Sequence, residues 1–328
     1  MRRAVEKSQK LFVVHTKIIP SYNANMEERF LINGGRTLHG KIKVDGAKNA
    51  FLPIMAASVL CDGQIQLDNY VALSDLDWMR EILKTLNIQT EAWQNFLYID
   101  TKNIENNKIS HELTQKVRAS IFILGALLGR FRSAVIAYPG GCNIGTRPID
   151  LHIKGFKALG ARIIEKHGYI YCHGENLKAG NVFLDFPSVG ATESLMMCAC
   201  LLDGETTLKN VAKEPEIVDL QNFLNAMGAK VFGAGTDTIT IVGVQKMHGA
   251  KFKVMPDRIV AGTYLLATAI CGGDVLVDGA ILSHNESLIS FLKQSACQIE
   301  TSNDKIRLKA SKRLSSIDKI ETLPFPFF

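Results

Sequence analysis

Apolar and polar positions along this chain switch between two periods, and the switching recurs four times. The recurring stretches begin "GAKNAFLPIMAASVLCDGQIQLDN", "VRASIFILGALLGRFRSAVIAY", "VGATESLMMCACLLDGETTLKN" and "RIVAGTYLLATAICGGDVLVDG". Each opens on an apolar run rich in Ala, Leu, Ile or Met, long enough for a buried helix rather than a strand. A Gly-containing or charged turn follows, then an alternating strand such as Gln64–Leu67 or Thr206–Lys209. A second helix is predicted over Leu151–Leu159 and Glu216–Met227, ending in "LGA" or "MGA". Glycine suits the left-handed residue just beyond a helix end. Two short strands, as in "ARIIEKHGYIYC" and "AKVFGAGTDTITIV", close the unit. Aligned alanines at Ala47, Ala119, Ala191 and Ala261 give separations of 72, 72 and 70 residues. The period exceeds that of most solenoids. The expected fold is therefore α/β, built from repeated β-α-β-α-β-β units in circular order around shared cores.

Composition narrows the class. A chain of 328 residues has room for two domains. No apolar run approaches the roughly 18 residues of a membrane span. The formal charge of +6 is spread along the chain, which argues against a nucleic-acid surface and suits small anionic ligands. Seven scattered cysteines, at 61, 142, 172, 198, 200, 271 and 297, form no metal-type pair. That usage fits a reducing, cytoplasmic setting. The opening "MRRAVEKSQKLFVVHTKIIPSYNAN" does not share the pattern of the remaining chain, and its apolar runs are too short for a signal peptide. Residues 1–28 are accordingly expected to be a poorly ordered extension, with Met26 as a natural start.

Candidate chemistry gathers where the apolar helices begin. Lys48, in "GAKNA", opens the first; Arg118 holds the matching place in the second, Ser188-Val189-Gly190 in the third and Asp257-Arg258 in the fourth. Backbone N–H groups at a helix start attract anions, and cationic side chains add to that. Taken singly, Lys48 is either a phosphate or carboxylate ligand or a solvated helix-start lysine. Four symmetry-related starts carrying suitable groups favour the ligand. Between two units lies "AYPGGCNIGTR", a thiol in a loop of three glycines, followed by Arg147, Pro148 and Asp150. Proline fits a first helical turn, and a guanidinium fork suits carboxylate or phosphate. Cations near Cys142 would lower its pKa, making it a nucleophile or a proton donor. His152 is read as facing outward from its helix, so no histidine serves as a base and a cysteine-protease-like site is not supported. No Walker motif, zinc signature or dinucleotide fingerprint is present, so neither a cofactor nor a metal is expected.

Together these residues resemble the enolpyruvyl transferases, in the branch whose acceptor is a UDP-sugar. "GAKNAFLPIMAA", "VRASIFILG", "PGGCNIGTRPIDLHIKGF", "FPSVGATESLMM", "EPEIVDLQNFLNAMGAK" and "MPDRIVAGTYLLA" match that family's blocks in order, from about Phe30 to Phe328. The resemblance implies a two-domain, inside-out α/β barrel. It implies transfer of an enolpyruvyl group from phosphoenolpyruvate to the 3-hydroxyl of UDP-N-acetylglucosamine, the first committed step of peptidoglycan synthesis. By motif, Lys48 and Asn49 would meet phosphoenolpyruvate, and Arg118 and Arg147 would hold phosphate and carboxylate groups. Cys142 would be the general acid to the methylene carbon, and it is the thiol fosfomycin alkylates in this family. Arg147, Pro148, Ile149, Asp150 and Leu151, with Ser188, Val189 and Gly190, would line the UDP-sugar site.

The family carries six repeats and this sequence shows four. Residues 48–255 are expected to form one complete domain of three repeats, and 29–47 plus 256–328 a partial second one able to self-associate. The sequence stops at "PFPFF", where the family continues into Pro-Thr-Asp, whose aspartate is the general base. The chain is therefore expected to be inactive by itself, and a non-catalytic UDP-sugar-binding descendant is the alternative reading.

Overall fold

The computed structural model describes residues 34–105, 108–140, 148–302, 304–311 and 313–327. The expected extension and the cysteine loop at 141–147 lie outside them. The described chain divides into two compact units. The larger spans Asp45–Asp257 with 322–328; the smaller joins the described residues up to Val44 to Arg258–Glu321.

The elements run in the predicted alternation. Strand β1 (Leu38–Lys43) precedes α1 (Lys48–Ala57), β2 (Gln64–Asp68), α2 (Ser74–Thr85), β3 (Gln89–Trp93) and β4 (Phe96–Asp100). The second copy comprises β5 (Lys108–Ile109), α3 (His111–Lys116), α4 (Ile121–Phe131), β6 (Ser133–Ala137), α5 (Asp150–Ala158), β7 (Arg162–Lys166) and β8 (Tyr169–His173). The third comprises β9 (Asn181–Phe183), α6 (Val189–Ala199), β10 (Glu205–Lys209), α7 (Pro215–Ala226), β11 (Lys230–Phe232) and β12 (Thr238–Val242). After β13 (Lys251–Lys253) the fourth runs through α8 (Arg258–Cys271), β14 (Gly273–Asp278), α9 (Glu286–Gln294), β15 (Gln298–Ser302) and β16 (Lys305–Ala310).

Among the described residues these strands make four separate four-stranded sheets of one design: β13-β2-β4-β3, β5-β6-β8-β7, β9-β10-β12-β11 and β1-β14-β16-β15. In each, an edge strand pairs parallel to the strand after the apolar helix, and the other pairings are antiparallel. The circular order is literal. The first copy receives its parallel edge, β13, from the far end of the larger unit, and the fourth receives β1 from upstream.

Local chemistry explains the element ends. Asp75 and Asp77 lie in the first turn of α2 and Lys84 in its last, matching the helix dipole. Pro215 opens α7, where its missing N–H costs nothing. The glycines of "LGA" and "MGA", Gly160 and Gly228, take φ of +96° and +95°. The alanine alignment is a few residues out of register. Helical turns begin at Lys48, Arg118, Val189 and Arg258, so Ala47 precedes its helix while Ala191 and Ala261 lie inside theirs. The second copy also enters through a 3₁₀ turn, Arg118–Ser120, rather than directly as α-helix.

In the larger unit α1, α4 and α6 pack on one another around Phe51, Ile54, Met55, Leu124, Leu127, Leu195 and Met196, all buried. Gly125 permits the closest approach, since a Cβ there would stand 2.4 Å from the Ser194 carbonyl oxygen. The smaller unit has its own core of Ile42, Val44, Leu265, Val275, Val277, Ile306 and Leu308.

Candidate functional site

The start of α1 is pinned by a crossing segment. Ala47 offers α1 no side-chain cap. Instead the Lys48 amide donates to Asp257 Oδ2 at 3.2 Å, supplying the carboxylate a helix start prefers. Ala47 N–H donates to the Met255 carbonyl at 2.8 Å, and Asp257 N–H to the Asp45 carbonyl at 3.0 Å. The Lys48 ammonium pairs with Asp75 Oδ2 at 2.9 Å. Asn49 beside it is exposed.

A run of neighbours leads from the start of α1 to the start of α6. Asp75 opens α2, and one turn on Trp78 carries the Lys116 ammonium 5.5 Å from its ring centroid. Arg118 follows two residues later, at the start of the second copy's helical turns. Arg118 in turn acts on His152 of α5, which packs on Gly190 in the first turn of α6. Lys48, Arg118 and Ser188-Val189-Gly190, all half-buried, are thus linked through the residues between them. Ser188 caps α6, its Oγ accepting from Ala191 N–H at 3.4 Å.

His152 corrects the sequence reading, because it is buried rather than facing outward. Its Nε2 stands 3.0 Å from where a Gly190 Cβ would lie, so glycine makes room for the ring. Burial, then the Arg118 charge, pushes its pKa down to about 4, against weaker opposite pulls from Asp150 and the Gly190 backbone. Apart from that Gly190 backbone contact, which is too poorly aligned for a regular hydrogen bond, neither ring nitrogen has a partner among the described residues.

Pro148, Ile149, Asp150 and Leu151 lead into α5. Pro148 and Asp150 are exposed, Ile149 is buried, and Leu151 is partly buried. An open cleft of about 590 Å³ is lined by Tyr138, Pro148, Ile149, Asp150, Ile153 and Lys157, among others. Three of the residues expected at a UDP-sugar site therefore share one concave surface. Cys142 and Arg147 lie outside the described residues.

Sequence reasoning missed a group of buried acids. Glu193 of α6 is fully buried, and neither carboxylate oxygen has a hydrogen-bond partner among the described residues. Burial, then Glu216 and Glu214, hold its pKa well above the usual carboxylate range. Asp219 of α7 is pushed up to about 7 by burial, with Glu216 adding to the rise; the hydrogen bond from Met255 N–H opposes it. The readable signal was a glutamate inside the apolar run "VGATESLMM". Asp75 had none, being 27 residues from Lys48. Among the described residues no group of three or more His, Cys, Asp or Glu is arranged to hold a metal ion, and no helix is long and apolar enough to cross a membrane.

Comparison with known proteins agrees with this architecture. The sequence profile of EPSP synthase (3-phosphoshikimate 1-carboxyvinyltransferase) matches residues 32–328. The chain is 48% identical over 300 residues to UDP-N-acetylglucosamine 1-carboxyvinyltransferase 2 of Caldanaerobacter subterraneus subsp. tengcongensis, covering 92% of this chain and 72% of that protein. It is 47% identical over 305 residues to UDP-N-acetylglucosamine 1-carboxyvinyltransferase 1 of Staphylococcus epidermidis, with the same coverage. In fold it is similar to the enolpyruvyl transferase NikO from Streptomyces tendae, with a TM-score of 0.75 at 17% identity over 86% of this chain and 68% of that one. EPSP synthase from Acinetobacter baumannii gives a TM-score of 0.66 at 17% identity, covering 87% and 67%. The chain belongs to the enolpyruvyl transferases, in the UDP-N-acetylglucosamine 1-carboxyvinyltransferase family.

Proposed function

We propose that this protein moves the enolpyruvyl group of phosphoenolpyruvate onto the 3-hydroxyl of UDP-N-acetylglucosamine in peptidoglycan synthesis. The observation that supports the reading is the run of neighbours that links Lys48 and Arg118 to the start of α6. Such a run offers helix dipoles and fixed cations to two anionic substrates. The transfer forms a C–O bond between the sugar oxygen and C2 of phosphoenolpyruvate and breaks the bond from C2 to the phosphate oxygen. Cys142 delivers a proton to the methylene carbon, which is lost again as phosphate departs. The hydroxyl proton goes to a base, so an enolpyruvyl ether and inorganic phosphate are the products.

In this reading Lys48 and Asn49 contact phosphoenolpyruvate. Lys48 must exchange Asp75 for the ligand, a contact between two partly exposed groups and so easily given up. Arg118 and Arg147 bear phosphate and carboxylate charge. Residues Arg147–Leu151 and Ser188–Gly190 hold the UDP-sugar, with the diphosphate drawn to the start of α6. We place the reaction in the cytoplasm, where the six described cysteines, all free, would stay reduced.

Calorimetric titration with UDP-N-acetylglucosamine and then phosphoenolpyruvate tests binding. Phosphate release, measured on a chain extended to the full length of its curated relatives, tests transfer. Lys48→Ala should lower turnover by at least about 10²-fold. Brief alkylation with peptide mapping tests the thiol. Cys61, Cys172, Cys198, Cys200 and Cys297 are buried with raised pKa, Cys172 and Cys198 to about 12, so exposed Cys271 is the competitor to watch. Labelling of Cys271 ahead of Cys142 would remove the activated-thiol role.

A further inference from the structure

The segment joining β13 to α8 crosses the start of α1 as a strap, and it is fastened at every step. Val254 N–H donates to the Asp68 carbonyl at 3.2 Å, and the Val254 carbonyl accepts from Asn69 Nδ2 at 3.0 Å. The Met255 carbonyl accepts from Ala47 N–H, Gly46 bridges Pro256, and Asp257 takes the Lys48 amide. The Met255 N–H is held from the other side. It donates to Asp219 Oδ2 of α7 at 3.1 Å, in a buried setting.

We propose that Asp219 is a positioning residue for the enolpyruvyl-transfer site: it fixes the strap that sets Asp257 against the Lys48 amide, and so sets where Lys48 stands. The inference rests on the reading of Lys48 as a phosphoenolpyruvate ligand. Its physical core is an accounting of the two main-chain polar groups of one residue, Met255. Met255 is held at both of its main-chain polar groups, by Ala47 N–H on its carbonyl oxygen and by Asp219 on its amide. Without an acceptor at position 219 the amide is buried unmet, and the strap must move to reach one. Two residues on, the carboxylate that caps α1 moves with it.

An acid is also an odd choice for core filling. Asp219 of α7 and Glu193 of α6 both feel the charge of Glu216. A leucine would avoid that burial cost. What the leucine cannot do is accept the amide hydrogen, whereas asparagine can.

The test uses the whole chain with Asp219→Asn and Asp219→Leu. Amide hydrogen exchange over residues 45–50 and 253–258 reads the strap directly. Phosphoenolpyruvate titration in the presence of UDP-N-acetylglucosamine reads its consequence. Asp219→Leu should speed exchange at Met255 and Lys48 about tenfold and weaken phosphoenolpyruvate about tenfold, the worth of one hydrogen bond. Asp219→Asn should stay within about threefold of wild type in both. Asp219→Ala supplies the same comparison if the leucine variant does not fold. Unchanged exchange in Asp219→Leu, or an asparagine variant as impaired as the leucine one, overturns the proposal. A wild-type chain that binds no phosphoenolpyruvate counts against the enolpyruvyl reading instead, and exchange alone then decides the strap.

Discussion

Helices α6 and α8 hold the same place in two copies of one module, and they meet opposite fates. Nine of the eleven residues of α6 are buried. Only five of the fourteen residues of α8 are buried, although its sequence is as rich in Ala, Leu and Ile. Ile270 is 72% exposed, with Leu266 and Cys271 also open on the same helix. The difference is in partners. In the larger unit α6 lies against α4 and α1, whereas in the smaller one α8 has its own sheet and α9. A module of this kind therefore makes a core between its helices and its sheet but leaves its apolar helix partly uncovered. Its apolar helix is shaped for contact with its siblings, and the sheet covers one side only.

The largest expected consequence is a change of assembly state. An exposed apolar helix face of this kind favours association. The purified protein should show concentration-dependent association in sedimentation velocity. Leu266→Lys with Ile270→Lys should shift it to monomer. Phe183→Lys, at a 62% exposed position on a sheet of the larger unit, should leave association unchanged. If both variants behave alike, the exposed face of α8 is not the adhesive one.

Packing supplies the next effect. Gly125→Leu would drive a side chain into the Ser194 backbone and part α4 from α6. The expected loss is about 3 kcal/mol, at the upper end for overpacking. Gly262→Ala in α8 meets only the Leu288 side chain at 3.0 Å and Asn285 at 3.3 Å, groups able to shift, so about 1 kcal/mol or less is expected. Chemical denaturation compares the two. Equal losses would show that the smaller unit depends on helix approach as much as the larger one.

Much of this was legible in the sequence because periodicity and turn chemistry are local. The apolar runs, the alternation at Gln64–Leu67 and the "LGA" endings each identify their element within a few residues. Lys48, Arg118 and Ser188 were readable for the same reason, since a helix start is a local event. What was not legible was pairing across distance. The contact of Lys48 with Asp75, and that of its amide with Asp257, 209 residues away, have no local trace. His152 failed differently. A polar residue in an amphipathic helix reads as solvent-facing, and only the missing side chain of Gly190, on another helix, opens a place for the ring.

Acidity should separate the units more gently. His152 titrates near 4 in the fold, below its ordinary 6.5, so the native state holds fewer protons than the unfolded chain in between. Its contribution is present above about pH 6.5 and is lost as pH falls through 4. Asp219 has the opposite sign. Its pKa rises from 3.8 to about 7, so the native state holds the extra proton, and its contribution is present below about pH 4 and lost as pH rises through 7. Glu193, raised as well, adds to the second trend. In the larger unit the two trends oppose each other across one window, each on the order of 3–4 kcal/mol. Asp219→Asn should therefore make its stability climb from pH 4 to 6.5, and His152→Asn should make it fall. The smaller unit has no such opposition among its described residues. Burial, then Arg258, lowers the pKa of His284, so that unit should gain stability as pH rises toward 6.5, in either variant. Hydrogen exchange at pH 4, 5 and 6.5, read separately for residues 45–257 and 258–310, distinguishes these slopes. A larger unit whose slope ignores both substitutions would show that its buried acids and histidine already titrate as they do in the unfolded chain.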